Sequence, residues 1–350
     1  GTAAMFTLTK LPRERDDAAW IACASSSLPV PVSPSSSTGL EDCAALRRVE
    51  APVPGIGTTV EYSVAYHCNL KCAHCSHMAP FMKSTLPPLE SFAMDVGRLA
   101  EAMHVRDIRM VGGEPLLNPQ IVEFLKVARA SGLADTVMVT TNGLLLNSMK
   151  DEFWENVDYI WLSQYPGASP KDRMIERFRA RAAESGTRLD VDPTFYFRAT
   201  ITTEPHPADW VTRMIYRTCE SAHRFHCHMI HEGRLFKCAC PPFMPDYLAR
   251  MGRNGYDPAV DAFPIHQADD LLGELKAFLF DHRPLEACRN CLGYVGSWQK
   301  HRFLSRDVVE HPEQERISRA THLDRRRLAQ ATAAYLYRRG REALTGKPQW

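Results

Sequence analysis

No apolar run in this 350-residue chain reaches the length needed to cross a membrane, so no membrane partner is expected. An excess of one charge is also missing. Forty-two Lys and Arg stand against 41 Asp and Glu, without the basic surplus by which nucleic-acid binders neutralise phosphates. No secretory signal is evident; Gly1-Thr2-Ala3-Ala4 ahead of Met5 reads as a cloning remnant, with Met5 the expected native start. Cysteine, by contrast, is plentiful. Eleven cysteines without an export signal favour metal ligation over disulfides and a cytoplasmic protein. At 45% hydrophobic and 24% charged residues, the rest is ordinary globular material, enough for one large domain and a smaller one.

Residues 1–55 are rich in Ser, Pro and Ala and read as an extended arm. Beyond them Val60, Tyr62, Val64 and Tyr66 alternate with smaller or polar residues, a strand signal. Helices are expected over 89–104, 119–130, 148–155 and 170–184, with strands over 107–111, 136–140, 159–163 and 188–197. Such alternation implies βαβ units and a parallel sheet. The fold class is α/β, with functional residues at the C-terminal strand ends. The rhythm stops near Trp210. A hairpin is expected over 226–231 and 234–239, turning at Glu232-Gly233. The expected parts are an arm (1–55), an α/β barrel (56–210), a small cysteine-bearing domain (211–300) and a basic helical tail (301–350). In that tail one helix over 312–344 would bury Ile317, Ala320, Leu323, Leu328, Ala331 and Leu336.

Cys68, Cys72 and Cys75 stand at C-x3-C-x2-C spacing directly after the first strand. An iron–sulfur cubane normally takes four cysteines; three leave one iron open, where a substrate or cofactor can bind. A zinc knuckle is the alternative, but it usually pairs two C-x2-C units. At the next strand end stands Val111-Gly112-Gly113-Glu114-Pro115, which alone would be a turn. Together the two motifs resemble the radical S-adenosylmethionine (SAM) superfamily. The resemblance implies a partial (β/α)6 barrel, with a [4Fe-4S] cluster on Cys68, Cys72 and Cys75 and SAM chelated by the open iron. Gly112 and Gly113 would let backbone approach the ligand, and Glu114 would accept from the SAM ammonium. His74 would pack near the adenine, or else face solvent. Thr141, Asn142 and Ser163 would contact SAM, or else cap turns. The implied chemistry is a 5′-deoxyadenosyl radical abstracting hydrogen from an unactivated C–H.

Cys219, thirteen residues, Gly233, four residues and Cys238, followed by Cys288-x2-Cys291, resemble the shorter "twitch" form of auxiliary-cluster domain. That implies a second [4Fe-4S] cluster; four thiolates on structural zinc are the alternative. Cys23 and Cys43 fall in the arm. Cys227 and Cys240 flank the second set, and each is open to three readings: a replacement cluster ligand, a small buried hydrophobe, or a hydrogen-atom donor to a substrate radical. Twitch enzymes include an aminocyclitol dehydrogenase of butirosin biosynthesis and epimerases of aminoglycoside antibiotics. The expected reaction is therefore epimerisation at a hydroxyl-bearing carbon of a carbohydrate or aminocyclitol, with Cys227 or Cys240 returning hydrogen. A flavodoxin or ferredoxin would supply electrons. Dehydrogenation of a secondary alcohol is the nearest rival. Peptide crosslinking and a non-enzymatic iron–sulfur or zinc protein are more distant ones. Gln164, Tyr165, Asp192, Tyr196 and Arg198 are expected near the substrate.

Overall fold

Eight strands form one sheet in this computed structural model, which describes residues 59–223 and 225–345. The expected arm, with Cys23 and Cys43, lies outside the described residues. Five strands alternate with four helices: β1 (Thr59–Ala65), α1 (Leu89–Ala100), β2 (Val105–Gly112), α2 (Ile121–Ser131), β3 (Ala134–Thr141), α3 (Asp151–Asn156), β4 (Tyr159–Gln164), α4 (Asp172–Ser185) and β5 (Arg188–Pro193). β1 to β5 pair in parallel in sequence order, as βαβ units require. β7 (Cys227–His231) then joins β1 in parallel, and β8 (Arg234–Phe236) and β9 (Ala262–Pro264) follow antiparallel. The sheet order is β5-β4-β3-β2-β1-β7-β8-β9. This is the expected α/β class with a parallel sheet, and a partial barrel is consistent with it. Among the described residues no helix is long and apolar enough to cross a membrane.

Both faces of β1 are covered, so every residue of the strand is buried. Val60, Tyr62 and Val64 pack on the helix layer, with Tyr62 rings 4.5 Å from Phe92 of α1 and 5.9 Å from Phe124 of α2. Each such fully buried side chain contributes about 1.5–3 kcal/mol of burial. The alternate residues face inward. There Val111 and Met229 share a second core with Ala73, Met78 and Phe81 of the cysteine loop region and with Phe243.

Two expected elements are shorter than the sequence suggests. The strand over 188–197 ends at Pro193, and β6 (Tyr196–Arg198) pairs instead with β10 (Trp298–Lys300) in a separate ribbon. The single helix over 312–344 is broken. Residues Pro312–Glu315 and Arg319–His322 form short turns, and only Arg325–Thr345 is a long helix. Ser318 Oγ accepts from Thr321 N and Asp324 Oδ1 from Arg327 N, so the chain is capped and restarted twice. Ile317 is buried outside any helix, and Leu336 is 60% exposed rather than part of a buried stripe.

The ends of β1 and β2 touch backbone to backbone. Gly113 N donates to Ala65 O at 2.7 Å and Glu114 N to His67 O at 3.1 Å. A Cβ on Gly113 would stand 2.0 Å from His67 O, and one on Gly112 (φ +134°) 2.1 Å from Ala65 O. The space these glycines free is filled by the neighbouring strand end, which brings β2 into backbone contact with the loop after β1. Gly113→Ala should cost about 3 kcal/mol in denaturant unfolding, as an overpacked site does. Gly97→Ala, exposed in α1 with nothing within 4 Å of its added Cβ, should instead gain up to about 1 kcal/mol.

Candidate active site

The C-terminal ends of β1 to β4 lie side by side, and the motif residues meet there. Glu114 is 1% exposed. Its Oε1 accepts from Leu116 N (3.1 Å) and Thr141 Oγ1 (2.6 Å), its Oε2 from Asn142 N (2.9 Å). Burial raises its pKa, and these three donors oppose the rise. All three are neutral. A ligand ammonium would supply the missing counter-charge, so the residues fit the amino group of SAM. Thr141 Oγ1 also accepts from Gly143 N (3.0 Å). Asn142 Nδ2 donates to Asn69 Oδ1 (2.7 Å) and approaches Cys68 Sγ (3.8 Å). Thr141 and Asn142 thus tie Glu114 to the end of β3 and to the cysteine loop.

Cys68, Cys72 and Cys75 converge: Cys68 feels the charge of Cys75, and Cys72 that of both others. The Cys68 thiol is pushed up to about 12, chiefly by burial, with Leu70 N donating to its sulfur at 3.3 Å. Burial also raises Cys72 and Cys75. The backbone amides of His77, Met78 and Ala79 bond the Cys75 sulfur, and His301 Nε2 stands 3.3 Å from Cys72 Sγ. Polar hydrogens aimed at sulfur suit thiolates more than thiols, which fits an iron–sulfur cluster that binds them deprotonated. Among the described residues no three His, Cys, Asp or Glu side chains stand close enough to hold a single metal ion.

His74 sits at φ 60° beneath the C-terminal segment, its Nε2 4.0 Å from Glu315 and its ring 6.2 Å from that of His322. Burial first, then Arg302 and His322, lowers its pKa to about 4. Ser163 is buried at the end of β4, where its hydroxyl pairs with that of Tyr165. Tyr165 stacks between Phe197 (5.7 Å) and His301 (5.0 Å), next to the three cysteines. Asp192 accepts from Thr194 Oγ1 (3.1 Å). Arg198 lies over Trp298 (4.0 Å) and Tyr294 (4.7 Å), while Tyr196 is 57% exposed. Gln164 closes β4 beside Pro193.

The second set holds five thiols rather than four. Cys219 feels Cys291 and Cys238, and Cys288 feels all three; Cys240 shares hydrogen bonds with Cys238 and Cys291. Gly293 N donates to Cys291 Sγ at 3.2 Å. Burial pushes the Cys219 thiol up to about 12. β8 ends at Phe236, so Cys240 lies beyond the strand and precedes a short turn, Pro241–Phe243. Cys227 is different. It pairs with Thr59 on the inner face of the sheet and feels Glu61 and Arg109 before Cys238 and Cys219.

Sequence reasoning missed the inner-face group. Glu61 binds Arg109 at 3.1 Å, and His77 Nε2 is 4.0 Å from Glu61. Tyr159 OH donates to Asp190 at 2.7 Å. Ser63 Oγ and Thr140 Oγ1 are buried without a hydrogen-bond partner. A charged residue in a strand buried on both faces was the available signal for Glu61; nothing local marked His301.

Comparison with known proteins agrees with this geometry. Residues 62–163 match the radical SAM superfamily. The GTP 3′,8-cyclase of Chlorobaculum tepidum is 41% identical over 103 residues, 28% of this chain and 31% of that protein. That of Geobacter sulfurreducens is 36% identical over 103 residues, with the same coverage. The chain thus spans under a third of the length of these cyclases. Among solved structures, BtrN in complex with AdoMet and 2-DOIA superposes with a TM-score of 0.41 at 14% identity, over 69% of this chain and 96% of BtrN. Residues 62–163, with the three-cysteine loop and Glu114 at adjacent strand ends, are a radical SAM domain.

Proposed function

We propose that this chain is a radical SAM enzyme that epimerises a hydroxyl-bearing carbon of a carbohydrate or aminocyclitol, with Cys227 as the hydrogen donor. The observation that carries the choice of donor is the position of Cys227. Its thiol lies on the inner face beside Glu61 and Arg109, whereas Cys240 is engaged by Cys238 and Cys291. Cys227 is pushed up to about 12, by burial first and then by Glu61, so it keeps its S–H at neutral pH. The buried, unpartnered hydroxyls of Ser63 and Thr140 favour a ligand rich in hydroxyls. The cyclases' GTP is a less supported substrate, because that likeness covers about a hundred residues.

Cys68, Cys72 and Cys75 would hold the first cluster, and Glu114 would bind the SAM ammonium. When bound, the pair supplies a 5′-deoxyadenosyl radical that takes a hydrogen atom from substrate carbon. The protein's part is orientation and exclusion of water. Cys227 gives its hydrogen atom to the resulting substrate radical from the opposite face. It is restored by one electron and one proton. Glu61, whose charge acts on Cys227, would pass the proton; Cys219, Cys238, Cys288 and Cys291 would hold a second [4Fe-4S] cluster, which would supply one-electron transfer from a flavodoxin or ferredoxin. Cytoplasmic residence and the division at residues 56, 211 and 301 belong to the same reading.

In deuterated water, with SAM, reductant and candidate glycosides, wild-type product should gain about one mass unit, because a thiol exchanges with solvent. Cys227→Ala should abolish that gain. A product about two units lighter, indifferent to Cys227→Ala, would instead mean dehydrogenation, since two hydrogens leave and none returns. Anaerobic reconstitution should yield roughly eight iron and eight sulfide per chain, for two cubanes. Zinc with little sulfide would sink the cluster assignments. Glu114→Gln should bind SAM about tenfold or more weakly in equilibrium dialysis, as loss of a charged hydrogen-bond partner does. Unchanged affinity would remove Glu114 from the SAM site.

A further inference from the structure

The cysteine loop is covered by a segment more than 200 positions away in the chain. Ala73 N donates to Arg302 O (3.0 Å), Leu304 N donates to Lys71 O (2.7 Å), and Cys72 forms a bridge with Phe303. His301 is held at the centre of this contact. Its own N–H donates to Phe195 O (2.8 Å). Its ring stacks on Tyr165 at 5.0 Å and 15° and meets Phe303 edge-on at 4.7 Å. It is 7% exposed. Its Nε2 lies 3.3 Å from Cys72 Sγ, and its Nδ1 is buried with no partner.

A thiolate only accepts, so the nitrogen facing Cys72 must carry the hydrogen. Hydrogen bonds to cluster sulfurs are one of the means by which a protein sets an iron–sulfur potential. They draw charge from the sulfur and favour the more negative, reduced cluster.

We propose that His301 is a positioning residue that donates its Nε2 hydrogen to the Cys72 sulfur and raises the reduction potential of the first cluster. The inference rests on the reading of Cys68, Cys72 and Cys75 as cluster ligands. The C-terminal segment thereby makes one-electron reduction by a flavodoxin-class donor easier, and the radical SAM domain depends on residues far outside it in sequence.

The test is an anaerobic redox titration of the reconstituted full chain with dithionite and viologen mediators, followed by electron paramagnetic resonance. The first cluster is recognised as the signal that SAM perturbs. His301→Leu removes the donor, and His301→Gln keeps an N–H near the same place. At fixed potential, His301→Leu should lower the reduced-to-oxidised ratio about tenfold, which is 59 mV for a one-electron couple. His301→Gln should stay within about twofold of wild type, a fraction of that interval. A leucine variant that titrates like wild type overturns the proposal, as does a glutamine variant that titrates like leucine. If His301→Leu takes up no iron, wild type labelled with [15N]histidine decides. A nitrogen coupling at the SAM-perturbed signal, lost in His301→Gln, supports the proposal; its absence from wild type overturns it. A wild type that takes up no iron and sulfide at all refutes the cluster reading itself, a result distinct from unchanged potentials in loaded protein.

Discussion

A carboxylate buried to 1% exposure and held by three neutral donors is the constraint on which the strand-end constellation depends. Glu114 is tolerated there because three donors converge on it, one from its own turn and two from the end of β3. Its backbone N–H at the same time binds the loop that follows β1. One residue therefore links three adjacent strand ends. The desolvation it suffers is only partly offset by neutral donors, since a buried charge is best balanced by an opposite one. The site is thus polarised toward a cationic group before any ligand arrives.

The glycines ahead of Glu114 serve the same end by a different route. Without Cβ atoms, β2 closes onto Ala65 and His67 at hydrogen-bonding distance. The cysteine loop is thereby held against the carboxylate, and Asn142 reinforces the link through Asn69. The far side of that loop is held by the segment around His301. The loop is fixed from two sides by segments that belong to different parts of the chain, as the proposed three-ligand site with an open position would require.

The inner face of the sheet divides the spare cysteines. Strand pairing puts Cys227 opposite Thr59, hence on the side of Glu61 and Arg109. The early end of β8 removes Cys240 from that face and leaves it among the other thiols. The proposed epimerase chemistry rests on this division, which follows from where a strand ends rather than from residue type.

Spacing, with the family resemblance it carries, marked Cys68, Cys72, Cys75 and Glu114 as candidates, because residues that share one tight loop or one strand end are close in sequence. Alternation of helices and strands likewise determined the parallel order β1 to β5, since a βαβ crossover is right-handed whatever its loops contain. The sequence could not reveal that Pro193 ends β5, nor that Ser318 and Asp324 restart the tail, because capping competes with periodicity only once neighbours are in place. It could not place His301 on Cys72 either, across 229 positions, nor separate Cys227 from Cys240. Those outcomes depend on which surfaces meet. Contact between distant segments is decided by the packing of the whole sheet, and only the tertiary structure contains it.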